Sequence, residues 1–213
     1  MPTPAIEPAG STGSSESGLG TQAGFVAAAV GTVAGILAPV VGYALTYSLL
    51  APSARAVLRR HAPVYGIAQA VIPAHVDAVP TWKLVGWLFY NAHGGQVQFT
   101  VLGELGANAL NFVADEGGAI GWLWLLPAAL LVVAGAAVVL VAGVGGLRDG
   151  ALAGAAIAPA YAVVVLAAAP EFAVTAAGYR MALPSSFVAV IVFPLCFGAL
   201  GGALVGALRR RSP

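Results

Sequence analysis

The stretch IGWLWLLPAALLVVAGAAVVLVAGV, residues 120–144, decides the fold. It lies in a window of 31 residues (117–147) that contains no charged side chain. A helix needs about 20 mainly apolar residues to cross about 30 Å of hydrocarbon, so this window predicts a membrane-spanning helix. Strands of a β-barrel alternate in blocks of about ten residues, and this run does not alternate.

Three further windows between charged residues satisfy the same criterion. They lie between Glu16 and Arg55, between Asp149 and Glu171, and between Arg180 and Arg209. The sequence therefore predicts an all-α, polytopic bundle of four transmembrane helices. We expect a transmembrane domain over 24–208, with spans at about 25–50, 120–144, 150–169 and 186–208. We expect residues 1–23, rich in Gly, Ser, Thr and Pro, to form a disordered tail, and 209–213 a short basic tail.

The composition excludes several classes of protein. Apolar residues make up 60% of the chain and charged residues 8%, and the mean hydropathy is +0.92. A soluble domain carries about 25% charged residues, so a water-soluble enzyme and a nucleic-acid binder are excluded. Cys196 is the only cysteine, which excludes an intrachain disulfide and a cysteine-based metal site. We expect a multi-pass protein of the cell membrane, with the lipid bilayer as its partner, without cofactor or nucleic acid.

The segment 51–117, between the first two spans, leaves two topologies open. Its window 84–103 is charge-free, so a fifth span is the alternative. The positive-inside rule favours five spans, because eight of the nine basic residues then lie on one side. Hydropathy favours four, because an unpaired amide in hydrocarbon costs several kcal/mol, and the window contains Asn91, His93, Gln96 and Gln98. We adopt four spans, with 51–117 as an extracytoplasmic loop.

Within this loop the aromatic residues predict a helix at the membrane surface. Trp82, Trp87 and Tyr90 cluster as aromatic side chains do at the membrane–water interface. We expect an amphipathic helix over about Thr81–Ala92 that lies on the membrane, followed by an extended segment over Gln96–Leu102. The acidic residues and histidines of the loop repeat no metal-ligand spacing, such as two histidines at i and i+4, so no metal site is predicted.

One stretch of this region carries a family resemblance. The sequence TWKLVGWLFYNAH, residues 81–93, resembles a recurrent stretch in a family of uncharacterised haloarchaeal multipass membrane proteins. The sequence GYALTY, residues 42–47, and the region Pro194–Gly198 are similar to that family as well. The resemblance implies a membrane protein with a domain of unknown function, sometimes labelled a transporter, and it supplies no catalytic residues.

Small residues four positions apart form the most regular pattern in the predicted spans. They lie on one helix face and let helix backbones approach closely. One interpretation is packing within a single bundle, and the alternative is a homo-oligomer formed through the last helix. The residues concerned are Gly31, Gly35, Gly150, Gly154, Gly198, Gly202 and Gly206.

The spans contain prolines but no ionisable side chain. Each proline removes a backbone hydrogen bond and kinks its helix, either for packing or to open a transport site near the midplane. The prolines are Pro39, Pro127, Pro159 and Pro194. The lack of intramembrane carboxylates argues against an ion-coupled pump, and no nucleophile–base set is visible, so we expect no enzyme.

These patterns leave two functions open. The first is a small transporter or permease-like component for a neutral or lipophilic solute. The alternative is a non-catalytic scaffold or assembly protein that acts through GxxxG or loop contacts. The candidate substrate- or partner-binding residues are Trp87, Tyr90, Asn91 and His93, which combine aromatic and hydrogen-bonding groups. Arg209, Arg210 and Arg211 follow the last span and are predicted to anchor its topology.

Overall fold

A computed structural model describes residues 14–61, 76–101, 108–116, 120–176, 178–183 and 187–210. Short 3-10 helices at Gly121–Trp124 and Ala169–Phe172 begin the second span and end the third. The helices are α1 (Ser14–Leu50), α2 (Ala54–His61), α3 (Thr81–Asn91), α4 (Phe112–Glu116), α5 (Leu125–Ala142), α6 (Leu147–Ala155), α7 (Ala158–Ala168) and α8 (Phe187–Arg209). The strands are β1 (Val97–Val101), β2 (Asn108–Leu110), β3 (Val174–Ala176) and β4 (Tyr179–Ala182).

Among the described residues, four segments are long and apolar enough to cross a membrane. They are Gln22–Leu50, Gly121–Ala142, Leu147–Phe172 and Val190–Arg209. The predicted all-α, four-span fold is confirmed, and the chain is a membrane protein. Helix α1 already begins at Ser14, so it overlaps the tail predicted over 1–23; residues 1–13 and 211–213 lie outside the described residues.

The third span consists of two helices, α6 and α7, joined by a two-residue turn at Ala156 and Ile157. Helix α6 packs antiparallel to α8 through glycines on both sides. A Cβ added at Gly150 would collide with the carbonyl oxygen of Gly202, and one added at Gly154 would collide with that of Gly198.

The same stripe of glycines continues to the end of the bundle. The Gly146 N–H donates to the carbonyl oxygen of Gly206 at 2.8 Å, which joins the start of α6 to α8 directly. Because lipid removes the hydrophobic driving force between spans, such backbone approach is a main source of helix association. The face that these glycines form on α8 is therefore covered by the chain's own third span.

A small sheet connects the two segments that link span one to span two and span three to span four. Its strand order is β2-β1-β4-β3, with every neighbouring pair antiparallel. In the central pair, Phe99 lies opposite Met181 and Val101 opposite Tyr179. We call the sheet together with α2, α3 and α4 the cap. Strand β1 lies in the segment predicted to be extended, whereas the other strands were not predicted.

The ends of helix α3 agree with the predicted ends to within one residue, but its surroundings differ from the predicted membrane surface. Every residue from Leu84 to Asn91 is buried. Gly86 lies so close to the ring of Phe172 that an added Cβ would overlap it. The expectation of a helix lying on the membrane with one face exposed is therefore corrected. The helix is enclosed between α1, the rest of the cap and the end of the third span.

Candidate functional site

The polar side chains of α3 are directed at the end of the third span. Lys83 Nζ donates to the carbonyl oxygen of Ala173 at 2.7 Å, and Trp87 Nε1 donates to that of Phe172 at 2.9 Å. The Tyr90 hydroxyl donates to the carbonyl oxygen of Val165. The last carbonyls of a helix lack donors within the helix, and a cation is favourable at that end. Lys83 and Trp87 therefore cap the third span, whereas Tyr90 adds a second hydrogen bond to the Val165 carbonyl, which also accepts from the Ala169 N–H. Burial raises the pKa of the Tyr90 phenol.

Asn91 organises the turn that follows α3. Its Nδ2 donates to the carbonyl oxygen of Gly95 at 2.9 Å, and its Oδ1 accepts from the N–H of Phe112 at 3.0 Å. Asn111 donates to the same Gly95 oxygen at 3.0 Å and accepts from the N–H of Ala114 at 2.9 Å. The second contact caps α4. Asn91 thus joins α3 to α4, and its amide is fully buried.

His93 connects the cap to α7. Its Nδ1 lies 2.7 Å from the carbonyl oxygen of Phe89, and its Nε2 is hydrogen-bonded to the Tyr161 hydroxyl. A carbonyl oxygen only accepts, so Nδ1 carries the proton, and Nε2 accepts from Tyr161. The ring is 3% exposed and contacts Phe193, with centroids 5.6 Å apart. Burial lowers the pKa of His93 to about 4, partly offset by its bond to Phe89, so the imidazole is neutral near pH 7.

The four residues predicted to bind a substrate or partner are thus all on α3 or its following turn. Trp87, Tyr90, Asn91 and His93 are buried, and each is hydrogen-bonded to another part of the chain. Their partners, the Tyr161 hydroxyl and the carbonyls at the end of the third span, were not predicted. A single tyrosine in an apolar span was the only available signal for Tyr161.

The remaining polar residues of the predicted loop do not come together in one site within the part of the chain that the structure describes. Asp77 forms an ion pair with Arg59 at the surface. Asp115 and Glu116 lie on α4, and His75 and Glu104 lie outside the described residues. Within the described ranges, no three His, Cys, Asp or Glu side chains are grouped to hold a metal ion.

The residues predicted to form a basic anchor lie in different surroundings. Arg209 Nη1 donates to the carbonyl oxygens of Val139 and Leu140 at 3.3 and 3.4 Å. These carbonyls belong to the last turn of α5, where a cation is favourable. Arg210 is exposed in the turn after α8, and Arg211 lies outside the described residues.

The turn in the third span follows the nine residues of α6. At 1.5 Å each these residues extend about 14 Å, which is about half the thickness of a hydrocarbon layer of about 30 Å. The Ala156 N–H donates to Ala153 at 3.2 Å instead of continuing the α-helical pattern. Pro159 lacks the N–H that would bond the Ala155 carbonyl, so the helix is interrupted here by proline.

Two open cavities border this interruption. The first has a volume of about 700 Å³ and lies between the start of α1 and the α5–α6 connection, with the exposed Asp149 in its lining. The second has a volume of about 460 Å³ and lies between α6, α7 and α8. The described residues of its lining are all apolar and include Pro159, Ile191 and Leu195. Leu152 and Ala156 line both cavities, so these two residues separate them.

A family of unknown function, DUF7978, matches residues 11–209. The chain belongs to this family. The DUF7978 match spans all four membrane helices and the cap, so it supports the whole architecture as one unit. No curated protein and no solved structure shows a significant match to the chain.

Proposed function

We propose that this DUF7978 protein is a small permease-like component of the cell membrane that holds a neutral, lipophilic solute beside the interrupted third span. The carrying observation is that Leu152 and Ala156, beside the proline-interrupted turn, line both cavities. Interrupted helices near the membrane midplane form the substrate sites of many secondary transporters.

The chemistry of the lining supports a neutral and lipophilic solute. Among the described residues, all the side chains around the second cavity are apolar, and Asp149 is the one ionisable residue that lines the first. A charged solute at this depth would lack a counter-charge and would pay a large desolvation cost. Leu152, which is 64% exposed, faces both cavities and is the residue we expect to contact the solute.

The proposal includes no catalytic step. Both ring nitrogens of His93 are engaged by Phe89 and Tyr161, so the ring has no lone pair available as a general base. Of the four residues first considered for binding, Trp87, Tyr90 and His93 are hydrogen-bonded to the third span, and Asn91 joins α3 to α4 within the cap. We place the cap outside the cytoplasm, as the four-span topology predicts.

A saturable photolabelling experiment tests this function. The purified full chain in lipid nanodiscs is irradiated with a long-chain alcohol that carries a diazirine, and labelled peptides are identified by mass spectrometry. We expect labelling around Leu152 and Ala156 that an unlabelled alkanol competes away and a quaternary alkylammonium ion does not. Leu152→Trp, which enlarges the side chain that borders both cavities, should abolish the saturable part, and Leu152→Ala should retain it.

The control separates a site from general contact with lipid. Val133 on α5 is 65% exposed and lines neither cavity. Val133→Trp should leave the saturable labelling unchanged. Labelling near Leu152 that does not saturate, or that survives Leu152→Trp, would refute the proposal.

A scaffold that acts through the cap is the second candidate. Its support is the sheet that joins two separate connections into one body, with Gln98 and Arg180 exposed on β1 and β4. A photocrosslinking amino acid at position 98 or 180 should then capture one defined partner in cells. The glycine face of α8 is covered within the chain, so a homo-oligomer through that face would require α6 to move away.

A further inference from the structure

The two halves of the third span are attached to different parts of the molecule. Helix α6 packs on the second half of α8, where the carbonyls of Gly198 and Gly202 contact the glycines of α6. The Gly146–Gly206 hydrogen bond closes the far end of this pair. We call α6 with residues 198–209 of α8 the lower body.

Helix α7 is attached to the cap instead. Tyr161 is bonded to His93, and the Val165 carbonyl accepts from Tyr90. Beyond the end of α7, the Phe172 carbonyl accepts from Trp87 at 2.9 Å. Three hydrogen bonds thus join α7 and its 3-10 extension to α3 and the turn that follows it. We call α7, its extension, α3 and the sheet the upper body.

The connections between these bodies are weak points of the helices. In the third span they are the turn at Ala156–Ile157 and the missing N–H of Pro159. In α8 the connection contains Pro194, one turn before Gly198, and Gly198 lies against the Ile157 side chain. Pro159 follows the interruption of the third span, and Pro194 removes a backbone hydrogen bond within the continuous helix α8 beside it. Kinks and hinges occur at such positions.

Helix α1 presents glycines to this point. A Cβ at Gly31 would lie 2.8 Å from the Ala156 Cβ, and one at Gly35 would collide with the Ile157 carbonyl oxygen. Small residues let helix backbones approach closely. The contact of α1 with the turn is therefore close, and Gly31 and Gly35 contribute no side chain that has to repack when the turn moves.

We propose that Ala156–Ile157 is a hinge about which the upper and lower bodies tilt relative to one another. The second cavity takes its lining from both bodies, with Leu152 and Ala155 from α6 and Ala158 and Ala162 from α7. Tilting changes its volume and its opening to the bilayer. The hinge itself is independent of any solute, and its role in opening the cavity rests on the proposed function.

Distances between spin labels test the hinge. Pairs of cysteines are placed in a Cys196→Ser chain, labelled in lipid nanodiscs and measured by pulsed electron paramagnetic resonance. The pair Leu147→Cys and Val163→Cys crosses the hinge, and both sites are exposed. The pair at 147 and 200 lies within the lower body, and the pair at 163 and 180 lies within the upper body. We expect a broad distance distribution across the hinge and narrow ones within each body.

Two proline variants make the result specific. Pro159→Ala restores the N–H partner of Ala155 and should narrow the distribution across the hinge. Pro39→Ala, the same change within α1, should leave it broad. A distribution across the hinge as narrow as those within the bodies, or one unchanged by Pro159→Ala, would overturn the hinge. Because no solute takes part, this outcome is independent of the photolabelling result.

Discussion

Replacing Gly202 by Ala tests the packing of the third span on the fourth. An added Cβ would collide with the Gly150 carbonyl oxygen and lie 2.9 Å from both the N and the Cα of Gly154. These neighbours are backbone atoms and cannot turn aside, so α6 and α8 must separate. Overpacking of this kind costs about 1–3 kcal/mol.

A matched variant isolates this clash from the intrinsic preference of alanine for helices. Gly24 lies in α1 with no atom within 4 Å of an added Cβ. Gly24→Ala should gain up to about 1 kcal/mol of helix propensity without any clash. The difference between the two variants therefore reports the contact between α6 and α8.

Thermal unfolding in detergent, followed by circular dichroism, measures this difference. For a chain of this length 1 kcal/mol corresponds to about 2–4 °C, so we expect Gly202→Ala to unfold about 2–12 °C below Gly24→Ala. Size-exclusion chromatography in the same detergent records the oligomeric state. If Gly202→Ala unfolds at the same temperature as Gly24→Ala and instead dissociates an oligomer, then Gly202 packs between chains. That result would refute the reasoning.

Three further predictions concern the junction of the cap and the third span. Tyr161→Phe leaves the buried Nε2 of His93 without its donor and should lower stability by about 1–3 kcal/mol in the same unfolding assay; an unchanged unfolding temperature would contradict the bond. The pKa of His93 is lowered in the folded state, so the unfolded state binds more protons between pH 6.5 and about 4. Stability should therefore be complete above pH 6.5 and fall towards pH 4, and His93→Gln should flatten that slope in unfolding scans across this range. Gly86→Ala should displace the Phe172 ring at a cost of about 1–3 kcal/mol, whereas Gly121→Ala, which has open space around it, should not alter the unfolding temperature.

The spans were predictable because membrane insertion depends on local hydropathy. Each window of 21 or more uncharged residues contains a candidate span, the third of them as two helices. The polar cost of Gln96 and Gln98 favoured four spans, and four are found among the described residues. The interruption of the third span was partly visible as Pro159 within an apolar run. Its division into two helices depends on the elements that each half contacts. These contacts cannot be predicted from the sequence of the span alone.

The cap was predictable only in part because its contacts join distant segments. Strand β1 pairs with β4 across more than 70 positions, and the strands that flank them have three residues each. Asn91 and His93 were predicted to lie at the membrane surface because an unpaired polar group is costly to bury. In the structure each is bonded to a residue four positions away, Gly95 or Phe89, and to a distant one, Phe112 or Tyr161. The distant partners could not be predicted from the sequence.

The most direct test of the whole arrangement is the accessibility of single cysteines in a Cys196→Ser chain. Gln98→Cys and Arg180→Cys lie on paired strands of the cap, and Gly145→Cys lies in the connection at the opposite end of the bundle. With a membrane-impermeant thiol reagent on intact cells and on inverted vesicles, positions 98 and 180 should react from the same side and position 145 from the other. Protection of position 98 on both sides, or its reaction from the side opposite position 180, would contradict the four-span fold with a shared cap.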